Sequence, residues 1–298
     1  MQRNVPRELD GHTLAECLEW MAREDGVSPR AARQALAKRD VRLDGERVGD
    51  GSLRVCAGQE IRAYWPKSAL GAREKAAKRP LDVVYEDEHV LLIVKPQGIP
   101  SQEEDDPCAG DTALTRAIAY LDAAGERTDR VRLCHRLDVQ TGGLLLIAKD
   151  DAAYEAAYRA FAERTVRKFY VCRVKGCPAK PEAVMRAYLR KDAELSRVSV
   201  TDHPASGAAE IATAYRVMEG GECARLEIEL LTGRTHQIRA HLAHIGHPIL
   251  GDDKYGDRAL NRRLGLRKQQ LWAVRMLVQA DGALSYLSGR TFECECPF

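Results

Sequence analysis

Two short segments of this 298-residue chain hold side chains fit for acid–base or nucleophilic work. The first is His135-Arg136-Leu137-Asp138, followed by Thr141-Gly142-Gly143 and the apolar run Leu144-Leu145-Leu146-Ile147-Ala148. A lone carboxylate in a polar turn, tied to a run short and apolar enough for a buried strand, is a group held by a rigid element. The second segment, Thr232-Gly233-Arg234-Thr235-His236-Gln237-Ile238-Arg239, brings the matching cation. Thr235 is placed to cap a helix that buries Ile238, Leu242 and Ile245 and that Gly246 and Pro248 end. Arg239 falls one turn past that cap, where a helix pressed on a sheet aims its side chain inward. A guanidinium delivered to a carboxylate favours the charged acid and fixes its position. Alone, Asp138 reads better as a turn cap with Arg136 as its surface partner; the basic segment gives it a chemical reading.

Metal and cofactor chemistry finds little support. His236, His241, His244 and His247 include no helical pair with a carboxylate base, so His241 and His244 are expected on a polar face toward solvent or RNA. The nine cysteines are scattered without a CxxC pair, so neither a disulfide framework nor zinc is expected. Cys294-Glu295-Cys296 reads as alternation in a terminal strand. No Walker loop and no GxGxxG occurs, and no cofactor is expected. No apolar run is long enough for a transmembrane helix, and Met1 to Arg7 lacks a signal-peptide core, so a cytoplasmic protein is expected.

The elements that must carry these segments are mixed. Leu14, Cys17, Leu18 and Met21 recur at helical spacing. Ser28-Pro29 opens a second helix bearing Arg30, Arg33 and Lys38, with Arg39 next. Asp44-Gly45 turns a hairpin over 41–48, and 61–64 is a strand. Net charge is only +2, yet residues 1–80 hold 16 Lys and Arg against 12 Asp and Glu, so nucleic-acid affinity is expected in patches. Residues 67–79 read as a linker. Beyond it, strands are expected at 83–85, 90–94, 169–174, 211–217, 224–231 and 291–296, with helices at 112–121 and 152–161. Few strand–helix–strand crossovers appear, which predicts an α+β domain with a largely antiparallel sheet.

Residues 8–66 resemble the S-four-like αL RNA-binding domain, in which a basic second helix leads into a V-x-L-D/N-G hairpin. The resemblance implies that Arg30, Arg33, Lys38 and Arg39 face RNA phosphates. Four motifs over 82–298 resemble, in order, the RluA family of pseudouridine synthases. They are Val84-Tyr85-Glu86-Asp87 through Gly98; His135-Arg136-Leu137-Asp138-x-x-Thr141; Lys168-x-Tyr170-x-x-x-Val174-x-Gly176; and Leu231 to Asp252 with Tyr255-Gly256. That likeness implies a mixed, mainly antiparallel central sheet with flanking helices and a cleft, preceded by the αL domain (1–66, linker 67–79, catalytic domain 80–298). It implies uridine isomerisation without a cofactor, with Asp138 as the catalytic aspartate that attacks the sugar or abstracts a proton from it, Tyr170 stacking on the base or assisting the final deprotonation, and Arg239 pairing with Asp138. Arg136 would fill the space of the extruded base, since chemistry on a stacked nucleotide requires flipping it out. His135, Lys95, Arg234, His236 and Gln237 would contact substrate.

Two positions depart from the family pattern: Gly142 replaces a Ser, and Trp272 replaces a His in Leu271-Trp272-Ala273. Both are expected to alter turn rigidity or the cleft wall. Large-subunit ribosomal RNA is the expected substrate, with transfer RNA as runner-up, and the chain is expected to act as a monomer. A silent RNA-binding factor on the same fold would need none of Asp138, Tyr170 and Arg239. A metal-dependent nuclease would be chelator-sensitive.

Overall fold

The helical spacing at the N-terminus closes a small core of its own. In the computed structural model, which describes residues 1–25, 27, 29–65, 79–103, 110–192 and 197–298, the chain forms two compact units. They are Met1–Leu81 with Pro100–Thr128, and Asp82–Ile99 with Asp129–Phe298. The first holds β1 (Gln2–Asn4), α1 (Leu14–Glu24), α2 (Pro29–Ala37), β2 (Val41–Leu43), β3 (Glu46–Val48), β4 (Glu60–Ala63) and α3 (Ala113–Ala123). Its antiparallel sheet runs β1-β4-β2-β3. Leu14, Cys17, Leu18 and Met21 bury their side chains against Val41, Val55 and Ile61. Asp44 and Gly45 both take positive φ (48° and 88°), the conformation a two-residue hairpin turn requires. The expected cap Ser28 and most of the 67–79 linker lie outside the described residues, and the first unit takes in 100–128 as well.

The second unit begins with β5 (Asp82–Glu86), β6 (Val90–Lys95), β7 (Arg132–Leu133), β8 (Gly142–Ala148) and α4 (Asp151–Ala162). It continues with β9 (Arg167–Arg173), β10 (Glu182–Asp192), β11 (Arg197–Thr201), β12 (Ala209–Glu219) and β13 (Arg225–Leu230). It ends with α5 (Gln237–His244), α6 (Arg258–Arg263), β14 (Leu271–Leu277) and β15 (Thr291–Glu293). One sheet runs β11-β10-β12-β13-β9-β14-β8-β6-β5, with β15 on β14 and β7 on β8. Among the described residues its ladders are antiparallel except β14 with β8. The expected α+β, mainly antiparallel class is what the fold shows.

The strand β8 is buried along its whole length, as its unbroken apolar run requires. Leu144 and Leu146 pack with Val90 and Leu92 against the alanine face of α4 (Ala153, Ala156, Ala157, Ala160). Small residues there let the helix lie close to the sheet. Ala240 of α5 packs with Val198 and Ile211, so the helix that bears Arg239 is seated on the β10–β12 end of the sheet. The strands β10, β11 and β14 go beyond the elements read from sequence, and the last ladder stops at Glu293 rather than 296.

Candidate active site

Asp138 lies in the connection between β7 and β8, and this connection is tied down from several sides. Thr141 N–H donates to the Asp138 carbonyl at 3.0 Å, closing the turn. Lys95 Nζ donates to the carbonyls of Pro96, Ile99 and Val139 at 3.0, 2.9 and 3.3 Å. Gln97 Nε2 donates to the Gln140 carbonyl (2.8 Å), and Gln269 Nε2 to Thr141 Oγ1 (3.0 Å). His135 Nε2 accepts from Leu146 N–H at 3.1 Å while its ring lies 4.8 Å from that of Phe161. Burial, assisted by the nearby Lys168 charge, pushes His135 down to about 3, so its ring is a neutral acceptor.

Three of the residues expected to contact substrate already have protein partners. Lys95 is fully buried, and its ammonium gathers loop carbonyls instead of meeting a ligand. His135 Nε2 is occupied by the Leu146 N–H of β8. Gln237 is 2% exposed: its Oε1 accepts from Thr232 Oγ1 and Arg234 N–H, and its Nε2 donates to Ala212 O and Thr213 Oγ1. All three brace the surrounding segments through these hydrogen bonds. His241 is corrected: it is 1% exposed, pairs with Thr213 Oγ1 at 3.0 Å, and burial lowers it to about 4.

Arg239 reaches Asp138 as its position in the helix requires. Nη1 donates to Asp138 Oδ2 at 3.0 Å. The rest of the guanidinium is held by Asp252, with Nε–Oδ2 at 2.6 Å and Nη2–Oδ1 at 3.0 Å. Asp252 has no exposed side-chain area, and its Oδ1 also accepts from the Lys254 and Tyr255 N–H groups. Burial opposes ionisation of both partners, yet their paired hydrogen bonds and charges win: Asp252 is lowered and Arg239 raised. The Tyr255 ring covers the guanidinium at 5.2 Å. Asp252 and Tyr255 belong to a motif quoted from the sequence, but nothing there showed that they orient Arg239.

The helix itself starts differently from the expectation. Thr235 does not cap it; His236 occupies the N-cap with φ 54° and no side-chain cap bond. That left-handed turn, uncommon for a residue with a side chain, points His236 at the site. Its Nδ1 lies 3.1 Å from Tyr255 Oη and its Nε2 is 3.9 Å from Asp138 Oδ2. Burial, with the Arg239 and Lys254 charges, outweighs Asp138 and lowers His236, leaving it neutral near pH 7. Ile245 falls outside the helix and is 37% exposed, because Gly246 at φ 85° ends the helical run.

Tyr170 sits in β9 between Ile228 and Ala273 and is 5% exposed. Burial, then the Asp138 charge, raises its phenol well above the ordinary tyrosine value, so it stays protonated. Arg136 and Arg234 are exposed. In the first unit, Arg33 pairs with Glu19 at 3.1 Å while remaining 70% exposed, and Lys38 and Arg39 are exposed. The side chain of Arg30 lies outside what the structure describes.

The two departures from the family pattern meet in one place. Trp272 of β14 pairs in register with Gly142 of β8. A Cβ on Gly142 would stand 2.1 Å from Trp272 Cζ3, so the indole fills the volume of any side chain at 142. Trp272 is opposite Val171, whereas Tyr170 is opposite Ala273. Trp272 therefore supports the loop from the sheet face away from Tyr170, not from the cleft wall.

The chain matches the model of RNA pseudouridylate synthases over residues 89–244. It is 36% identical over 258 residues to ribosomal large subunit pseudouridine synthase C of Vibrio parahaemolyticus, covering 82% of this chain and 78% of that protein. An uncharacterized RNA pseudouridine synthase of Aquifex aeolicus is 33% identical over 72% of this chain and 68% of its own length. Among solved structures, human RNA pseudouridylate synthase domain containing 1 superposes with a TM-score of 0.57 at 25% identity, covering 68% of this chain and 80% of that one. The chain belongs to the RNA pseudouridylate synthase family, isomerases that convert uridine in RNA to pseudouridine.

Proposed function

We propose that this chain isomerises uridines in structured large-subunit ribosomal RNA, with Asp138 as the catalytic group. The observation that carries the reading is the Arg239–Asp138 pair at 3.0 Å, in which Asp252 takes up the other edge of the guanidinium. Among the described residues Asp138 Oδ1 has no hydrogen-bond partner, and the side chain is 24% exposed. One oxygen is anchored and the other is left for a substrate.

In the reaction the bond from N1 of uracil to C1′ breaks, the base rotates, C5 bonds to C1′, the C5 proton leaves and N1 takes up a proton. Asp138 either attacks the sugar or removes a proton from it. Tyr170 supplies an apolar plate for the detached base, its phenol keeping its proton. Arg136, exposed on the same connection as Asp138, fills the stack vacated by the flipped nucleotide. The basic α2 side of the first unit adds affinity for RNA phosphates. The Vibrio relative's name supports ribosomal RNA as substrate. No helix among the described residues is long and apolar enough to cross a membrane; on this reading the protein works in the cytoplasm as a monomer.

The test is to map pseudouridines in ribosomal and transfer RNA treated with the protein or with Asp138→Asn. Modification of ribosomal RNA by the wild type alone, with RNA affinity retained by the variant, is expected. Turnover by the Asn variant would remove Asp138 from its role, and modification of transfer RNA alone would replace the substrate.

A further inference from the structure

One cation in the second unit is unaccounted for by the fold. Lys168 lies on β9 two residues before Tyr170, with Phe169 between them, so the two side chains leave the same face of the sheet. It is half-buried, yet among the described residues its ammonium has no carboxylate or carbonyl partner. Other cations of the unit differ. Arg167 is paired with Glu229 at 2.7 Å and Arg275 with Glu227 at 2.9 Å. Lys149 is paired with Glu86 at 3.0 Å. Among the described residues Lys168 has the Phe161 ring alone, 5.1 Å from Nζ to centroid, a contact that cushions a cation without neutralising it.

Its position is bounded by both segments of the active site. On one side is His135, which feels the Lys168 charge and begins the connection that carries Arg136 and Asp138. On the other is Gly233, where a Cβ would stand 3.7 Å from Nζ, in the turn that leads to His236 and Arg239. The ammonium thus stands beside the place where a base would meet Tyr170. Burial lowers its affinity for a proton, and among the described residues no anion repays that cost. A desolvated cation held without a partner is unfavourable unless something completes it. The anion that accompanies every uridine of an RNA chain is the phosphodiester.

Resting on the reading of the chain as an RNA pseudouridine synthase, we infer that Lys168 is a substrate-binding residue whose ammonium receives an RNA backbone phosphate beside the uridine lodged at Tyr170. Free inorganic phosphate offers the same chemistry, and the two sources are separable by experiment.

The full-length protein, Lys168→Met, Lys168→Gln and Lys168→Arg are titrated with a large-subunit ribosomal RNA transcript over a range of potassium chloride. For one lost phosphate contact the slope of log affinity against log salt falls by about 0.7 in the Met and Gln variants and is retained in the Arg variant. KM rises with the loss of affinity while kcat holds. Excess inorganic phosphate at constant ionic strength leaves the wild-type affinity unchanged if the phosphodiester is the ligand. Competition by phosphate that is absent in Lys168→Met would assign the site to the free ion and overturn the RNA assignment. An unchanged slope in a folded Met or Gln variant would overturn it as well, as would a fall in kcat alone. If Met unfolds the protein, the Gln variant, which keeps a polar head, decides. Binding is read without turnover, so this outcome is independent of whether Asp138→Asn is inactive.

Discussion

The second unit contains two clusters of charge built on opposite plans. At the β5–β6 turn, Asp87 accepts four hydrogen bonds: from Tyr85 and Tyr286 hydroxyls at 2.8 and 2.6 Å, and from His89 and Val90 N–H groups, each at 2.8 Å. Burial opposes its charge, but the four donors outweigh it and lower Asp87. Around it His89 bridges Asp150 and Glu88, and Lys149 pairs with Glu86. At the proposed active site, Asp252 is saturated in the same way while Asp138 receives one bond from Arg239. A saturated carboxylate pins a turn; a carboxylate with an oxygen to spare is fit to meet a ligand. The difference separates structural from chemical acid groups where residue type alone does not.

The largest expected effect comes from cutting the second cluster at its centre. Arg239→Met strands Asp252 in the interior without its counter-charge, a loss of about 3–5 kcal/mol for one partner of a buried pair. Urea unfolding measures it, and RNA isomerisation should disappear even where the variant is folded. The equivalent cut at the turn should cost stability while activity per folded molecule stays at the wild-type level. Stability within about 0.5 kcal/mol of wild type for Arg239→Met would show that Asp252 is not held by charge pairing, and the contrast would collapse.

Next in size is the floor under Asp138. Gly142→Ser forces an oxygen-bearing side chain into the Trp272 ring, an overpacking cost of about 1–3 kcal/mol. Trp272→His opens the space, so the double variant should recover most of the loss. A cycle with no coupling between the two positions would mean that the indole does not occupy the site of the missing side chain.

Much of this was legible in residue order. The spacing of Leu14, Cys17, Leu18 and Met21 gave the first core, and the run 144–148 gave the buried strand, because burial imposes a period or an unbroken apolar stretch. Arg239 was readable as a partner for Asp138 because one helical turn past a glycine-led strand end leaves few directions. The rest depended on tertiary placement. Lys95 and Gln237 are polar residues that sequence assigns to surfaces, yet each is buried by collecting backbone or hydroxyl partners from distant segments. The β10–β11 hairpin is half-exposed along β10, so its alternation is diluted by charged residues. Trp272 carried no periodic signal for its strand; its ladder with Gly142 is a long-range pairing that neither segment announces.

The smallest effects belong to the saturated turn and test whether it is purely structural. Tyr286→Phe removes one of four donors to Asp87, an expected loss of about 0.5–1.5 kcal/mol with kcat untouched. The His89 hydrogen bond to Asp150, at 2.7 Å, raises the imidazole above its ordinary value against a smaller opposing effect of burial. Its charged form is thus favoured by the folded state. That stabilisation is complete below the unfolded-state value near 6.5 and is lost as pH climbs through the raised native one. Unfolding free energies of wild type and His89→Gln, followed from about pH 5.5 to 8.5, should therefore differ most at the acid end and converge at the alkaline end, by no more than about 1 kcal/mol in all. A gap that stays constant with pH would mean that the ring contributes packing and not charge, and the turn would lose its claim to be an electrostatic device.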